Sequence, residues 1–275
     1  MERYTKVTAL YFSPTHTTKK VVEKIAASLA EMLGIECDSI DITTPESRKK
    51  QIIFNSNNIV IFGSPVYIGR LPNLISPYFK TFAGNGATAV AVVVYGNRAY
   101  DDALAEARDI LLSDGFKCVA AAAFIGEHSF SRILGGGRPD DADLEIAARY
   151  AGRIYEKLSD GKAGEVLAVP GNPEALRAFY HATDKNGSSV DIRKVKPQTD
   201  KSLCNNCGFC ASICPMGSIN PADCSDITGI CIKCCACVKR CPNSAKYFDD
   251  PDYLGHKSLL EEKFASVRKN PELYV

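Results

Sequence analysis

Short apolar runs alternate with stretches of helical periodicity over the first 160 positions. Val7 to Phe12 is apolar except for Thr8, the composition of a central parallel strand buried on both faces. Ser13-Pro14-Thr15-His16-Thr17-Thr18 follows, and from Lys19 to Leu33 the residues Val21, Val22, Ile25, Leu29 and Leu33 fall at helical spacing. Gly34 is placed to end that helix. Ile35 to Ile42 reads as a second strand, Ile59 to Phe62 as a third, and Asn73 to Phe82 as a helix. Thr88 to Tyr95 is a fourth strand, Asp101 to Ser113 a helix, Lys117 to Ile125 a fifth strand, and Asp140 to Leu158 a last helix. Strand–helix alternation at this spacing predicts an α/β fold with a doubly wound parallel sheet.

Beyond Ser159 the pattern stops. Gly161-Lys162-Ala163-Gly164 and Pro170-Gly171-Asn172-Pro173 are turn-rich, with Pro173 placed to start a short helix through Tyr180. Asp184 to Asp200 is polar and basic and reads as a connection. A tail from His256 to Lys269 puts Leu259, Leu260, Phe264 and Val267 on one helical face, which predicts packing onto the body, with partner binding as the alternative.

Charge narrows the function classes. Lys plus Arg number 33 against 32 Asp plus Glu, which argues against a nucleic-acid binder or a polybasic membrane anchor. Met1 to Lys6 lacks the charged, apolar and small-residue regions of a secretory signal, and Cys118 to Ile125 is too short to span a bilayer. A cytoplasmic location is expected.

Between Cys204 and Pro242 the chemistry changes. Cys204, Cys207, Cys210 and Cys214 follow C-x2-C-x2-C-x3-C, with Pro215 next. Cys231, Cys234, Cys237 and Cys241 repeat that spacing, with Pro242 next, and every position recurs at an offset of 27. A disulfide framework suits a chain without a secretion signal poorly, and structural zinc uses separated C-x2-C pairs. Thiolates two residues apart let a tight loop wrap one face of an iron–sulfur cube, with the fourth donor coming from elsewhere. Neither loop carries enough apolar residues to fold alone, so cluster binding and folding are expected to be coupled.

The run resembles bacterial ferredoxins that hold two [4Fe–4S] clusters, in which the fourth cysteine of each run serves the other cluster. That resemblance implies Cys204, Cys207, Cys210 and Cys241 for one cluster, and Cys231, Cys234, Cys237 and Cys214 for the second. Eight thiolates and two oxidised cores would take the formal charge of +1 to roughly −3, favouring a basic patch on a partner. Cys37 and Cys118 lie in apolar strand-like runs and are expected in the core; Cys224 and Cys235 are expected to be non-ligands.

Ligands of doubly wound sheets bind at the carboxyl ends of the strands, and three loops leave such ends. Ser13 to Thr18 is rich in hydroxyls and opens a helix, so it can hold a phosphate, although an ordinary helix cap has the same composition. It lacks the Gly-Lys-Ser/Thr ending of a P-loop. Gly84-Asn85-Gly86-Ala87-Thr88-Ala89 fits G-x-G-x-x-A but precedes a strand, so it reads as a turn. Gly135-Gly136-Gly137 reads as a surface loop beyond the fifth strand, and His128, His181 and His256 show no ligand or base pattern.

The three loops together resemble flavodoxins. Ser13-Pro-Thr-His-Thr-Thr18 is similar to their FMN phosphate loop, and Gly63-Ser-Pro-Val-Tyr-Ile-Gly-Arg70 and Tyr95-Gly-Asn-Arg-Ala-Tyr-Asp-Asp102 to the loops flanking the ring. The resemblance implies FMN contacts from Ser13, Thr15, His16, Thr17 and Thr18, from Pro65, Val66, Tyr67, Gly69 and Arg70, and from Tyr95, Gly96, Asn97, Arg98 and Tyr100. Tyr67 and Tyr95 are the candidates against the isoalloxazine, and packing tyrosines are the alternative. His16 stands where the family commonly carries glycine, and Pro14 removes one backbone donor.

The whole chain thus resembles the flavodoxin–ferredoxin fusion proteins of anaerobic microbes. Residues 1–160 are expected to form the flavodoxin-like sheet and 161–198 a connecting segment. A small α+β bacterial-ferredoxin-like domain is expected at 199–248 and a tail at 249–275. The resemblance implies an electron carrier passing electrons between clusters, FMN and a protein redox partner. An FMN-dependent reductase with a pocket bordered by Arg70, Arg98 and Glu127–Phe130 is the alternative, and a flavin-free scaffold the third.

Overall fold

The computed structural model describes residues 4–161, 167–171 and 176–275. Its first part is a sheet of β1 (Lys6–Tyr11), β2 (Glu36–Asp41), β3 (Asn58–Pro65), β4 (Thr88–Tyr95) and β5 (Lys117–Ile125), joined by α1 (Thr17–Leu33), α2 (Ser76–Phe79) and α3 (Ala103–Ser113) and followed by α4 (Asp141–Ser159). The parallel strands run in the order β2-β1-β3-β4-β5, the flavodoxin order of a doubly wound sheet. α1 and α4 bury Val22, Ile25, Tyr150 and Ile154 against one face, and α2 and α3 bury Phe79, Leu104 and Leu111 against the other. β3 and β4 are therefore dry on both sides, which is why they read as unbroken apolar runs.

Three expectations are corrected. The helix expected over Asn73–Phe82 contracts to Ser76–Phe79. Pro77 has no N–H to bond the Asn73 carbonyl and is tolerated only in a first turn, so the helix cannot run from Asn73. Cys37 is exposed, because β2 is the edge strand and alternates between solvent and partial cover; Cys118 is in the core. The tail helix runs Pro251–Phe264 (α7 below), starting earlier than His256. Asp250 accepts the Tyr253 N–H at 2.9 Å and Pro251 occupies the first turn, so Asp-Pro here is a helix start. The helix expected from Pro173 falls partly outside the described residues, and residues 176–180 are not helical.

The cysteine-rich part contains β6 (Gln198–Thr199), α5 (Phe209–Ser212), α6 (Ala236–Lys239) and β7 (Lys246–Tyr247), with β6 and β7 paired antiparallel. α6 is α5 displaced by 27 residues. Left-handed backbone recurs at the same offset: Asn206 and Lys233, Gly208 and Cys235, Gly217 and Ser244. Cys235 thus occupies, at φ 58°, a left-handed turn position that its counterpart fills with glycine.

After α7 (Pro251–Phe264) the chain returns to the sheet as β8 (Glu272–Tyr274), an antiparallel sixth strand against Ala121–Ala123. The sequence reading missed it. Among the described residues no helix is long and apolar enough to cross a membrane.

Candidate functional site

Two cavities in the cysteine-rich part are walled by thiols. Cavity I, about 300 Å³, is lined by Cys204, Cys207, Cys210 and Cys241 together with Cys224 and Lys246. Cavity II, about 410 Å³, is lined by Cys214, Cys231, Cys234 and Cys237 together with Cys235, Ile219, Ile232 and Phe248. Each cavity therefore takes three cysteines from one run and the last cysteine of the other. The N–H groups of Ser218 and Ala245, at the repeat offset, point at the sulfurs of Cys214 (3.4 Å) and Cys241 (3.3 Å). Lys233 N–H reaches the Cys231 sulfur at 3.4 Å. N–H donors aimed at sulfur stabilise thiolates, as a cluster-binding donor set requires. Among the described residues no three metal-ligating groups converge as a single ion needs. The thiols instead line the walls of the two cavities.

A third cavity, about 420 Å³, lies at the carboxyl ends of β1, β3, β4 and β5. Ser13, Thr15, Thr17, Thr18, Pro65, Val66, Tyr67, Tyr95 and Gly96 line it, joined by Glu127, His128, Ser129 and Cys234. Ser13 is fixed by the Thr43 hydroxyl on its N–H (2.8 Å), and its own Oγ accepts from Lys19 N–H (2.9 Å). The next amides, Thr17 and Thr18, open α1 and have no intrahelical acceptor. Thr18 Oγ1 is buried without a hydrogen-bond partner. An orphaned hydroxyl beside free helix-start amides is the donor set of an anion site, and it fits the phosphate of FMN.

His16 closes the loop with φ 67°, a left-handed conformation. That explains why glycine suits this place and why histidine there is strained. It is not among the residues lining the cavity. Burial lowers its pKa, and Arg240 and Lys19 lower it further.

Five more predicted contacts are committed elsewhere. Arg70 donates to Glu106 (2.8 Å) and to the Arg177 carbonyl (3.1 Å). Arg98 pairs with Asp101 and lies 4.2 Å from the Tyr180 ring centroid. Asn97 Nδ2 donates to the carbonyls of Phe264 and Val267, both at 2.8 Å. Tyr100 hydrogen-bonds to Glu272 (2.6 Å), and Gly69 turns at φ 81° where a Cβ would strike Asp101. Tyr95 reaches the cavity, but its ring packs on Tyr100 at 5.5 Å, and burial pushes its phenol up to about 12. Tyr67 is different. Burial first, then the Cys234, Cys235 and Cys231 sulfurs, push its phenol far up, so it stays neutral between the strand-end cavity and the thiols.

Glu127, His128 and Ser129 were missed as cavity walls, although the loop after β5 is also a strand end. Phe130 N–H donates to His128 Nδ1 at 3.1 Å, so the neutral ring carries its proton on Nε2. Burial, then Lys239, brings the His128 pKa down to about 3. The cysteine-rich part grips two of the loops of this cavity. Arg240 donates to the Pro14 carbonyl at 3.2 Å, and Lys239 binds the loop from Glu127 to Ser131.

Residues 196–219 match the family model described as "4Fe-4S binding domain". A search of the curated proteins finds no match to the chain. Among solved structures, a flavodoxin from the domain Archaea aligns with a TM-score of 0.40 and 16% identity over 56% of this chain and 99% of its own. A Streptococcus pneumoniae flavodoxin aligns with a TM-score of 0.40 and 17% identity, over 55% and 99%. Rubredoxin oxygen:oxidoreductase from Desulfovibrio gigas aligns with a TM-score of 0.38 and 17% identity, over 59% and 38%.

Proposed function

We propose that the chain is an electron-transfer iron–sulfur flavoprotein, with FMN in the strand-end cavity and one [4Fe–4S] cluster in each thiol cavity. The observation that carries it is Cys234, which lines both the strand-end cavity and cavity II. One side chain thus belongs to the wall of a flavin site and to the donor set of a cluster site. When bound, FMN supplies two-electron capacity with one-electron exchange, and each cluster supplies one-electron exchange.

The chain's own residues do the positioning. Ser13, Thr17 and Thr18 hold the phosphate end, Tyr67 lies between flavin and thiols, and Lys239 and Arg240 fasten the cluster part over the cavity. Cys207 is exposed, so cavity I meets solvent at that corner although its Cys210 (7% exposed) is as buried as Cys234 (8%) in cavity II. A protein redox partner would therefore dock over cavity I. The open pocket of the reductase alternative loses two of its borders, since Arg70 and Arg98 turn to Glu106 and Asp101.

The test is anaerobic purification with iron, acid-labile sulfide and flavin counted per chain. About eight irons and one FMN are expected, with flavin reduced inside the same molecule after the clusters. Protein that takes up no flavin even with added FMN overturns the reading.

A further inference from the structure

The two thiol cavities are repeats of one plan, and among the equivalent residues that line them one pair differs in charge. Ile219 and Lys246 stand 27 apart, each five residues after the last cysteine of its run. Ile219 lines cavity II and Lys246 lines cavity I. Lys246 is 3% exposed. Its ammonium donates to Thr199 Oγ1 at 2.7 Å and to the Cys224 carbonyl, both neutral acceptors. Among the described residues it forms no ion pair with a carboxylate.

An ammonium held out of water with only neutral partners is costly unless a counter-charge lies near. Asp223 feels its charge but stands exposed to water, so the buried counter-charge is the anionic group for which cavity I supplies four thiolates. Resting on the two-cluster reading, we propose that Lys246 is a built-in cation for the cluster of cavity I and raises its reduction potential. The step is the uptake of one electron by the cluster, with no proton or ligand exchanged. The added negative charge is stabilised by the fixed positive one.

The backbone N–H groups on Cys214 and Cys241 match across the cavities and cancel in the comparison, while the Lys233 N–H on Cys231 belongs to cavity II. Cavity II has cations nearby in Lys233, Lys196 and Arg48, which donate to the carbonyls of Cys231, Ile227 and Pro215. All three are more open to water than Lys246, so solvent screens them more. For the chain, the centre in cavity I would accept electrons from a weaker reductant than the same site without the lysine.

The experiment is an anaerobic redox titration of the full-length protein, followed by electron paramagnetic resonance, for wild type, Lys246→Met and Lys246→Gln. Iron and sulfide are counted on each sample. In Lys246→Met the ratio of reduced to oxidised cluster at a fixed potential is expected to fall at least tenfold for one of the two centres. That is 59 mV for one electron. If Lys246→Met loses half its iron, Lys246→Gln decides, because its amide still donates to Thr199 while the charge is gone. Eight irons with both centres unmoved overturns the assignment of Lys246 alone. Four irons in the wild type instead overturns the two-cluster reading beneath it.

Discussion

The Lys239 ammonium lies 2.5 Å from a Glu127 carboxylate oxygen and also reaches the carbonyls of His128 (2.6 Å) and Ser131 (2.8 Å). Its side chain is 8% exposed and that of Glu127 20%. Lys239 ends α6 between Cys237 and Cys241, which line different thiol cavities, while Glu127 and His128 line the strand-end cavity. One side chain therefore ties the order of the cysteine loops to the shape of the cavity beside them.

Lys239→Met removes the cation and leaves Glu127 with the Gly137 N–H (3.2 Å) and the more distant Arg132 (3.9 Å), and the Ser131 carbonyl without its ammonium donor. Breaking such a pair costs roughly 3 kcal/mol. The thermal midpoint is expected to fall, and the dissociation constant for FMN to rise at least about tenfold, or ~1.4 kcal/mol. Flavin titration followed by fluorescence checks this. Unchanged affinity in a folded variant would mean that the loop needs no tether.

Thr18 offers a cleaner separation of stability from binding. Its Oγ1 is buried and unpartnered, as is that of Thr8 on β1. Replacing either by valine removes an unsatisfied hydroxyl at nearly constant shape, so flavin-free protein should be as stable as wild type or gain about 1 kcal/mol. Only Thr18 lines the strand-end cavity. Thr18→Val is therefore expected to weaken FMN binding about tenfold and Thr8→Val to leave it unchanged. Equal behaviour of the two variants would remove Thr18 from the phosphate site.

Legibility in the sequence followed the range of the interaction. β4 and β5 match their readings to the residue because both faces are buried and the apolar run is the whole signal. The thiol spacing was legible because the ligands of each loop are close in sequence. β8 was invisible: Glu272-Leu273-Tyr274 is too short for a period, and its partners Ala121–Ala123 lie some 150 residues earlier. Arg70, Asn97, Arg98 and Tyr100 sit in strand-end loops, as read. Their hydrogen-bond partners Glu106, Phe264 and Glu272 are fixed by tertiary packing that no local pattern reports.

Asn97 tests that last point. Its backbone is left-handed at φ 62° and its amide clamps the end of α7 and the turn after it. Asn97→Gly keeps the backbone and loses two hydrogen bonds, about 1–3 kcal/mol together. Asn97→Ala adds roughly 1 kcal/mol of left-handed strain. Thermal midpoints should fall in that order while FMN affinity stays close to wild type. A loss of flavin with an unchanged midpoint would place the amide at the ligand instead.

Asp114 supplies a pH signature outside the linings of the three cavities described. It follows α3, its Oδ2 is buried without a partner, and burial pushes its carboxyl up to about 6. Because the folded pKa lies above the unfolded one, the folded state is penalised for holding the anion. The penalty is absent below the unfolded value and complete above the folded value. Asp114→Asn should therefore raise the thermal midpoint by about 2 °C at pH 7.5 and by less at pH 5.5. A gain that grows toward acid would reverse the sign and refute the burial argument.

Cys204 and Cys234 belong to different cavities, and only Cys234 also lines the strand-end cavity. Cys204→Ala is expected to cost about four irons per chain and leave flavin binding as in wild type. Cys234→Ala is expected to cost the same iron but to weaken FMN as well, because the loop that walls the flavin site folds around the cluster it binds. Iron analysis and flavin titration on the two variants, prepared side by side without oxygen, separate these outcomes. If both variants hold FMN as tightly as wild type, the cluster loop is a neighbour of the cavity and not part of its wall. The short path from thiol to flavin would then have to be sought elsewhere on Tyr67's side.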